Sequence, residues 1–380
     1  MSNERAELLD EFDVPPAPLP DEDIESEGTI VRPFDPAKIR VETKQLSMDT
    51  LISRMKNGEI VLQPEFQRKE VWKDKARSRL IESILIRIPL PAFYMDATDD
   101  EKWLVVDGQQ RLSTLERFVL KGDLRLQDLE FLQEELDGCT FDQLPRAFQR
   151  RIRETNVTVY LIERGTPSAV KINIFKRINT GGLPLSAQEI RHALNGYPVA
   201  QMLKDLAASD QFQLATNGGV PAERMADREY VVRFFAFRMT SPDKFSSQEF
   251  DSFLSDTMAS INMLDDSQRQ YLSARFLRAM QWSHIILGRL AFRKCFSTES
   301  SARLRPVNKA LFEAWSVNLD RLSDEELQFL GHCKSDLLQR FVALMGDRSF
   351  EQSISQGTGD VGKVKFRFAA IRKIIGETLF

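Results

Sequence analysis

In the first half of the chain, segments with the hydrophobic pattern of a strand alternate with segments that have the pattern of a helix. Short apolar runs rich in β-branched or aromatic residues predict strands, and the segments between them repeat apolar residues at helical spacing. The clearest helix spans 74–87, where Leu80, Ile81 and Ile84 share one side. The predicted strands are 60–62, 92–95, 103–106 and 157–162. Strands and helices therefore alternate up to about residue 195.

Strand signals nearly vanish after residue 197. Seventeen of the 26 phenylalanines lie in 197–380, at the helical spacings typical of buried faces. We interpret them as core, not as a base-stacking surface. The whole pattern predicts an α+β fold, in which a mixed domain over 39–196 precedes an all-helical domain over 197–380.

The N-terminal segment has a different composition. Its first 28 residues hold ten acids, one base and four prolines, with little to bury, which predicts a disordered tail over 1–38. The tail either improves solubility or occupies a basic groove as a nucleic-acid mimic. The formal charge of the whole chain is −4, so the chain beyond this tail is mildly basic and compatible with a nucleic-acid partner.

Several classes of protein are disfavoured by what the sequence lacks. No apolar run reaches the ~18–20 residues of a membrane span, and no secretory signal is present. Three cysteines, Cys139, Cys295 and Cys333, show no paired spacing. We therefore expect a cytoplasmic protein without a membrane partner. Neither a P-loop nor a dinucleotide-binding glycine motif occurs. The only three histidines, His192, His284 and His332, lie in separate segments, which argues against an HNH-type nuclease.

The segment 102–120, KWLVVDGQQRLSTLERFVL, is the most informative one. A buried strand ends at a turn formed by Asp107 and Gly108, and a helix follows. Gln109, Gln110 and Arg111 therefore lie in the first helical turn, where free N–H groups and the helix dipole favour an anion such as phosphate. An ordinary strand–turn–helix with solvated polar caps is the alternative.

A Gln-Arg pair recurs along the chain. Gln67 and Arg68 follow the first short strand, as Gln110 and Arg111 follow a later one, and Arg177 precedes a third polar loop that begins with Asn179 and Thr180. Arginine forks suit phosphate oxygens, and glutamine both donates and accepts. If these loops converge, they form a nucleoside-triphosphate pocket in which Asp107 or Glu82 holds Mg²⁺ or orients water.

Five ordered sequence words resemble one known family. They are FQRKEVW at 66–72, LIESIL at 80–85, DGQQRLSTL at 107–115, IFKRINTGGLPLS at 174–186 and EIR at 189–191. Together they are similar to the N-terminal domain of GmrSD-type modification-dependent restriction enzymes, which is related in fold to ParB and sulfiredoxin nucleotide-binding domains. The resemblance covers about residues 45–195.

The resemblance implies a ParB/sulfiredoxin-like fold, binding and hydrolysis of a nucleoside triphosphate with Mg²⁺, and a role in defence against foreign DNA. It gives Gln110 and Arg111 a central place, together with Asp107. The other residues expected in the nucleotide pocket are Gln67, Arg68, Glu82, Gly108, Gln109, Arg177, Asn179 and Thr180. Many relatives carry an HNH nuclease domain that the histidine pattern does not support here, and no cysteine lies near Asp107 for sulfiredoxin chemistry.

A basic stripe is predicted in the helical half. On a helix spanning 271–296, Arg275, Arg278, Arg289 and Arg293 fall on one side. The stripe is either a solvated face or a surface for the DNA phosphate backbone. Residues 363–373 form a second basic stretch with the same two interpretations.

We therefore expect a nucleotide-hydrolysing protein that is a sensor or regulatory component of restriction-type, anti-phage defence. Its expected partners are DNA and a nuclease or another defence protein. One alternative is a ParB-like DNA clamp or adaptor that binds nucleotide without hydrolysis. Another is a metal-dependent DNase that uses the DGQQR pocket itself. The sequence does not predict the oligomeric state.

Overall fold

The computed structural model describes residues 40–62, 72–178, 186–246, 250–297 and 304–379. A five-stranded sheet lies in the first half and helices make up the second. The predicted α+β class is confirmed. Across these described ranges, no helix combines the length and the apolar character that crossing a bilayer requires.

The first half contains all of the described strands. Its strands are β1 Val41–Ser47, β2 Ile60–Val61, β3 Phe93–Ala97, β4 Trp103–Asp107 and β5 Asn156–Glu163. Its helices are α1 Met48–Lys56, α2 Asp74–Leu85, α3 Gln109–Leu115, α4 Gln133–Leu136, α5 Arg146–Glu154, α6 Ser168–Ile178 and α7 Ala187–Asn195. A π-helical segment, Glu116–Lys121, continues α3 and ends at Gly122 in the left-handed conformation that glycine favours at helix ends.

The sheet is mixed, with strand order β1-β5-β3-β4-β2. The β1·β5 and β3·β4 pairs are antiparallel, whereas β5·β3 and β4·β2 are parallel. Four strands match the predicted segments within about two residues, but β1 was not predicted. Most of its residues are exposed, so it lacks the apolar alternation that identifies a strand.

The two faces of the sheet are covered differently. Met95, Val105 and Val159 lie on one face and pack in a large apolar cluster with residues of α1, α2 and α5. On the other face, Val106 and Ile162 belong to a small cluster that α6 and α7 complete. This second face carries Tyr94 and Tyr160, which pair between β3 and β5.

The second half is built around a helix dense in phenylalanine. In α10 Ala226–Met239, Phe234, Phe235 and Phe237 have no exposed surface, which confirms their predicted place in the core. The other described helices are α8 Val199–Ala207, α9 Asp210–Thr216, α11 Phe250–Asn262, α12 Asp266–Leu287, α13 Lys309–Asp320, α14 Asp324–His332, α15 Lys334–Met345, α16 Arg348–Ser355 and α17 Val361–Leu379.

An ionic contact joins α7 to the helical half. Arg191, buried in α7, donates to Asp251 of α11 at 2.7 Å and lies 3.6 Å from Glu229 of α10. Although burial opposes ionisation of Glu229, the cations Lys309, Arg233 and Arg191 outweigh it and hold its pKa well below the ordinary value. The last helix of the mixed half is therefore fixed to the helical half by charge as well as by packing.

Candidate functional site

The turn between β4 and α3 requires glycine. Gly108 has φ +99°, a conformation that L side chains rarely adopt. A Cβ atom on Gly108 would also lie 2.4 Å from a ring carbon of Phe93. The backbone thus passes directly over the Phe93 ring before α3 begins at Gln109, and the first N–H groups of α3 have no partner within the helix.

The side chain of Arg111 holds this turn in place through hydrogen bonds. Its Nη2 donates to Asp107 Oδ2 at 2.8 Å and to the Ala92 carbonyl at 3.1 Å, and its Nη1 donates to the Pro91 carbonyl. The guanidinium also lies over the Phe93 ring, 4.4 Å from its centre. Arg111 therefore ties the turn to the residues that precede β3.

Burial sets the chemistry of Arg111. Burial lowers the pKa of the Arg111 guanidinium, and the Asp107 carboxylate partly offsets this. The side chain is only 10% exposed, and two backbone carbonyls and one carboxylate occupy its fork. Arg111 is placed to position the turn, in contrast to the expected phosphate-binding fork.

Asp107 and Gln110 each have a side-chain polar group without a hydrogen-bond partner among the described residues. The Asp107 side chain is 35% exposed, and its Oδ1 has no hydrogen bond or ion pair within the described ranges. Gln110 is half-buried, and its side-chain amide likewise has no partner among the residues that the structure describes, while its backbone carbonyl accepts from Thr114 Oγ1 at 2.7 Å. Gln109 is half-buried beside it. These groups lie at the surface of the turn that Arg111 holds.

Glu82 has a different task from the predicted one. It is 3% exposed, and its carboxylate accepts four hydrogen bonds of 2.7–3.0 Å from the backbone N–H groups of residues 130–132. Burial alone would raise the pKa of Glu82, but these N–H groups outweigh it and the pKa lies below its ordinary value. Both oxygens are engaged by backbone N–H groups, so Glu82 anchors the loop at residues 130–132, in contrast to the Mg²⁺-binding role predicted for it.

Arg177 lies at the exposed end of α6. Two residues earlier, Phe175 packs in the same buried cluster as Val106, the neighbour of Asp107. The packing therefore brings the end of α6 to the part of the sheet that carries the turn. The predicted residues Gln67, Arg68, Asn179 and Thr180 lie outside the described residues.

Tyr94 is a neighbour of Asp107 that the sequence did not reveal. The β3·β4 register places Tyr94 opposite Asp107. Burial raises the pKa of the Tyr94 phenol, and Tyr160 and Asp107 raise it further. The alternation of β3 is visible in sequence, but only the strand pairing shows which residue faces Asp107.

The predicted basic helix over 271–296 is wrong in its second part. Helix α12 ends at Leu287, and Gly288 closes it with φ +54°. Arg289 lies in the following 3₁₀ turn. Arg293 is 5% exposed, and it donates to the carbonyls of Thr216 and Arg305. The Arg293 guanidinium is therefore buried and bonded to the backbone, in contrast to the exposed side chain that the predicted DNA-binding surface requires.

Arg275 and Arg278 lie on α12 as predicted, but both have acidic partners. Arg275 Nε is 2.8 Å from the buried carboxylate of Asp320, and Arg278 forms an ion pair with exposed Asp324. The four arginines therefore do not form one continuous stripe. Part of the predicted charge is neutralised within the helical half.

These features define an α+β domain whose central turn, between β4 and α3, presents an anchored carboxylate and two glutamines. Residues 48–195 match the family described as GmrSD restriction endonuclease, N-terminal domain. The family indicates a restriction- or defence-related role. A comparison with curated proteins found no match. Within the described ranges, no group of three or more His, Cys, Asp or Glu side chains is arranged to hold a metal ion.

Proposed function

We propose that the mixed domain, residues 39–196, binds a nucleoside triphosphate with Mg²⁺ and hydrolyses it at the turn after β4. The chain would act in the cytoplasm as a sensor or regulatory component of restriction-type defence, engaging DNA and a partner nuclease or another defence protein. The observation that carries this proposal is the anchored Asp107, whose Oδ1 has no hydrogen bond or ion pair among the described residues and which lies on the same turn as Gln109 and Gln110.

The donor set at the turn suits a triphosphate bound with magnesium. Backbone N–H groups at the start of a helix favour phosphate oxygens. Mg²⁺ is typically held by one or two carboxylates together with substrate phosphates and water, so Asp107 Oδ1 is the residue atom that would hold it. When bound, the ion would neutralise charge on the phosphates.

Gln110 is the residue best placed to act on the reacting groups. Its amide both donates and accepts, so it can contact a phosphate oxygen and orient the attacking water, a task that glutamine performs in other nucleotide hydrolases. Since no described residue engages this amide, its removal leaves the folded turn intact. Gln110 is therefore a sharper probe of catalysis than Arg111.

The test is phosphate release from each of the four NTPs, with and without Mg²⁺ and DNA. We expect turnover by the intact chain and a loss of roughly 100-fold in Gln110→Ala, the scale of one transition-state hydrogen bond. Gln211→Ala is the matched control, because Gln211 is a half-buried glutamine at the same second position of a different helix, α9. Equal turnover in both variants would remove Gln110 from the active site.

The same measurements separate the competing functions. Binding of nucleotide by calorimetry without phosphate release would favour the non-hydrolysing clamp or adaptor. Nicking of plasmid DNA without added nucleotide, abolished by Asp107→Asn, would favour the metal-dependent DNase. Asp107→Asn keeps an oxygen for Arg111, so the turn should remain folded.

For the DNA contact we propose an arginine cluster at the C-terminal end of α13, defined as Arg238, Arg275, Arg278, Arg321 and Arg372. Arg238 and Arg275 flank buried Asp320 at 2.6 and 2.8 Å, and Arg372 lies 3.5 Å from Asp243. With Asp324, three carboxylates face five guanidinium groups. The remaining positive charge supports phosphate binding.

Arg321 is the most informative member of this arginine cluster. Its side chain has no hydrogen bond or ion pair in the part of the chain that the structure describes. Burial lowers the pKa of Arg321, and the guanidinium groups of Arg372 and Arg238 lower it further, although Asp243 and Asp320 act in the opposite direction. A phosphate at this position would relieve the repulsion among the arginines.

A further inference from the structure

Three residues on neighbouring strands are register partners, with a β-bulge or irregularity between Tyr94 and Met95 where β3 pairs with β4. The β3·β5 register places Tyr94 beside Tyr160, and the β3·β4 register places Tyr94 beside Asp107. Neighbouring strands lie about 5 Å apart. The row Tyr160, Tyr94, Asp107 therefore leads directly to the turn that begins at Gly108.

The two tyrosine rings are stacked on each other. Their centres are 4.8 Å apart and their planes differ by 23°. In such a stack each ring covers one face of the other, so the outer face of Tyr94 is directed toward β4 and the outer face of Tyr160 toward β1. Both residues are half-buried.

The surroundings of this pair differ from those of a core aromatic residue. On the opposite face of β3, Phe93 and Met95 are completely buried. Beside Tyr160, the register partner Thr43 is exposed, and Gln45 is exposed two residues further along β1. Tyr94 also packs against the small apolar cluster that contains Val106 and Ile162. The stack is therefore held on the sheet and is partly exposed to solvent.

We propose that the Tyr94–Tyr160 stack is the base-binding wall of the nucleotide site, with the base packed on the outer face of Tyr94 and the phosphates at the adjacent turn. The inference rests on the proposed function and extends it to the base. Aromatic rings bind nucleobases by stacking, without strong preference among bases. A neutral phenol, which the raised pKa of Tyr94 ensures near pH 7, adds no charge that would repel the triphosphate.

The experiment compares a ligand that has a base with one that lacks it. Calorimetry would measure the affinity of the full chain for ATP, GTP, CTP and UTP and for inorganic tripolyphosphate, each with Mg²⁺. We expect Tyr94→Leu to weaken binding of the NTPs about 10-fold or more, the effect of losing one base–aromatic stack, and to leave tripolyphosphate binding unchanged. Tyr94→Phe, which keeps the ring, should bind normally.

Two controls exclude other causes. Tyr271→Leu changes an exposed tyrosine of α12 and should alter neither affinity. Circular dichroism would verify that each variant is folded. If Tyr94→Leu does not fold, the same measurements can be made on Tyr94→Val, because valine is favoured in strands.

The outcomes distinguish this inference from the function on which it rests. Equal weakening of NTP and tripolyphosphate binding, or no weakening of either, would overturn the stacking role while leaving the nucleotide site. If the intact chain binds neither ligand, the proposed function and the stacking role both fail. If Tyr94→Leu weakens binding of a single-stranded oligonucleotide but not of any NTP, the wall serves DNA bases and our inference is wrong.

Discussion

Arg111 Nη2 donates to Asp107 Oδ2 at 2.8 Å across the first turn of α3, while the same guanidinium holds the Pro91 and Ala92 carbonyls. One buried cation thus fixes both the carboxylate at the end of β4 and the chain that enters β3. Loss of activity on mutation of Arg111 would accordingly reflect loss of geometry as much as loss of chemistry.

Replacing Arg111 by lysine should lower the free energy of unfolding. Lysine is a point donor that cannot serve two carbonyls and a carboxylate at once, and unsatisfied buried groups of this kind cost about 2–4 kcal/mol. Chemical denaturation would measure the loss. Arg177→Ala is the control, because Arg177 is exposed and its removal should change stability by less than about 0.5 kcal/mol; similar losses in the two variants would contradict the anchoring role.

A pair of glycine substitutions tests the contact with Phe93. Gly108→Ala combines a strained positive φ, costing about 1–2 kcal/mol, with a clash against the Phe93 ring that adds about 1–3 kcal/mol. In Gly122→Ala the new residue must adopt a φ of +68°, but no atom lies within 4 Å of the added Cβ. This variant should therefore lose only about 1–2 kcal/mol, the cost of the strained φ. Thermal unfolding of both variants gives the difference, and equal destabilisation would show that the turn can move away from Phe93.

Glu82 should make stability depend on acid pH. Because its folded pKa lies below the ordinary 4.5, its contribution is fully present above about pH 4.5 and is lost as pH falls through the folded value. Glu82→Gln should lose about 1–3 kcal/mol at pH 7 and show a shallower decline below pH 4.5. Denaturant titrations from pH 7 to pH 3 measure both.

The comparison for Glu82 is Glu101→Gln, an exposed glutamate whose replacement should change stability by less than about 0.5 kcal/mol at pH 7. An unaltered pH profile in Glu82→Gln would show that residues 130–132 do not depend on this carboxylate. The Mg²⁺ requirement of any nucleotide turnover should be the same in Glu82→Gln and in the intact chain.

Two arginines of the helical half should behave in opposite ways. Arg293→Ala removes the buried guanidinium that donates to the carbonyls of Thr216 and Arg305, so it should lower stability by about 1–3 kcal/mol without altering the salt dependence of DNA binding. Arg321→Ala should preserve stability and reduce the slope of log K against log salt by about 1. Duplex DNA titrations at several salt concentrations provide the measurement, and the reverse pattern would restore Arg293 to the DNA surface.

The sequence by itself determined the local elements and the family. The strand ending at Asp107, the glycine turn and the helix that begins at Gln109 all follow from short-range patterns, and the structure has them. Five words in a fixed order identified the family that residues 48–195 match. Such signals survive in sequence because they depend on neighbours within a few residues.

Tertiary structure decided what each polar group does. Glu82 and Arg111 occur in sequence words that suggest catalysis, yet backbone groups 20 to 50 residues away engage them. The prediction of a basic stripe assumed one continuous helix over 271–296. In the structure the helix ends before Gly288, and Arg293 is buried in the segment that follows. Partners for hydrogen bonds and charges come from distant segments, so their identity depends on packing and strand register, which also placed Tyr94 between Tyr160 and Asp107.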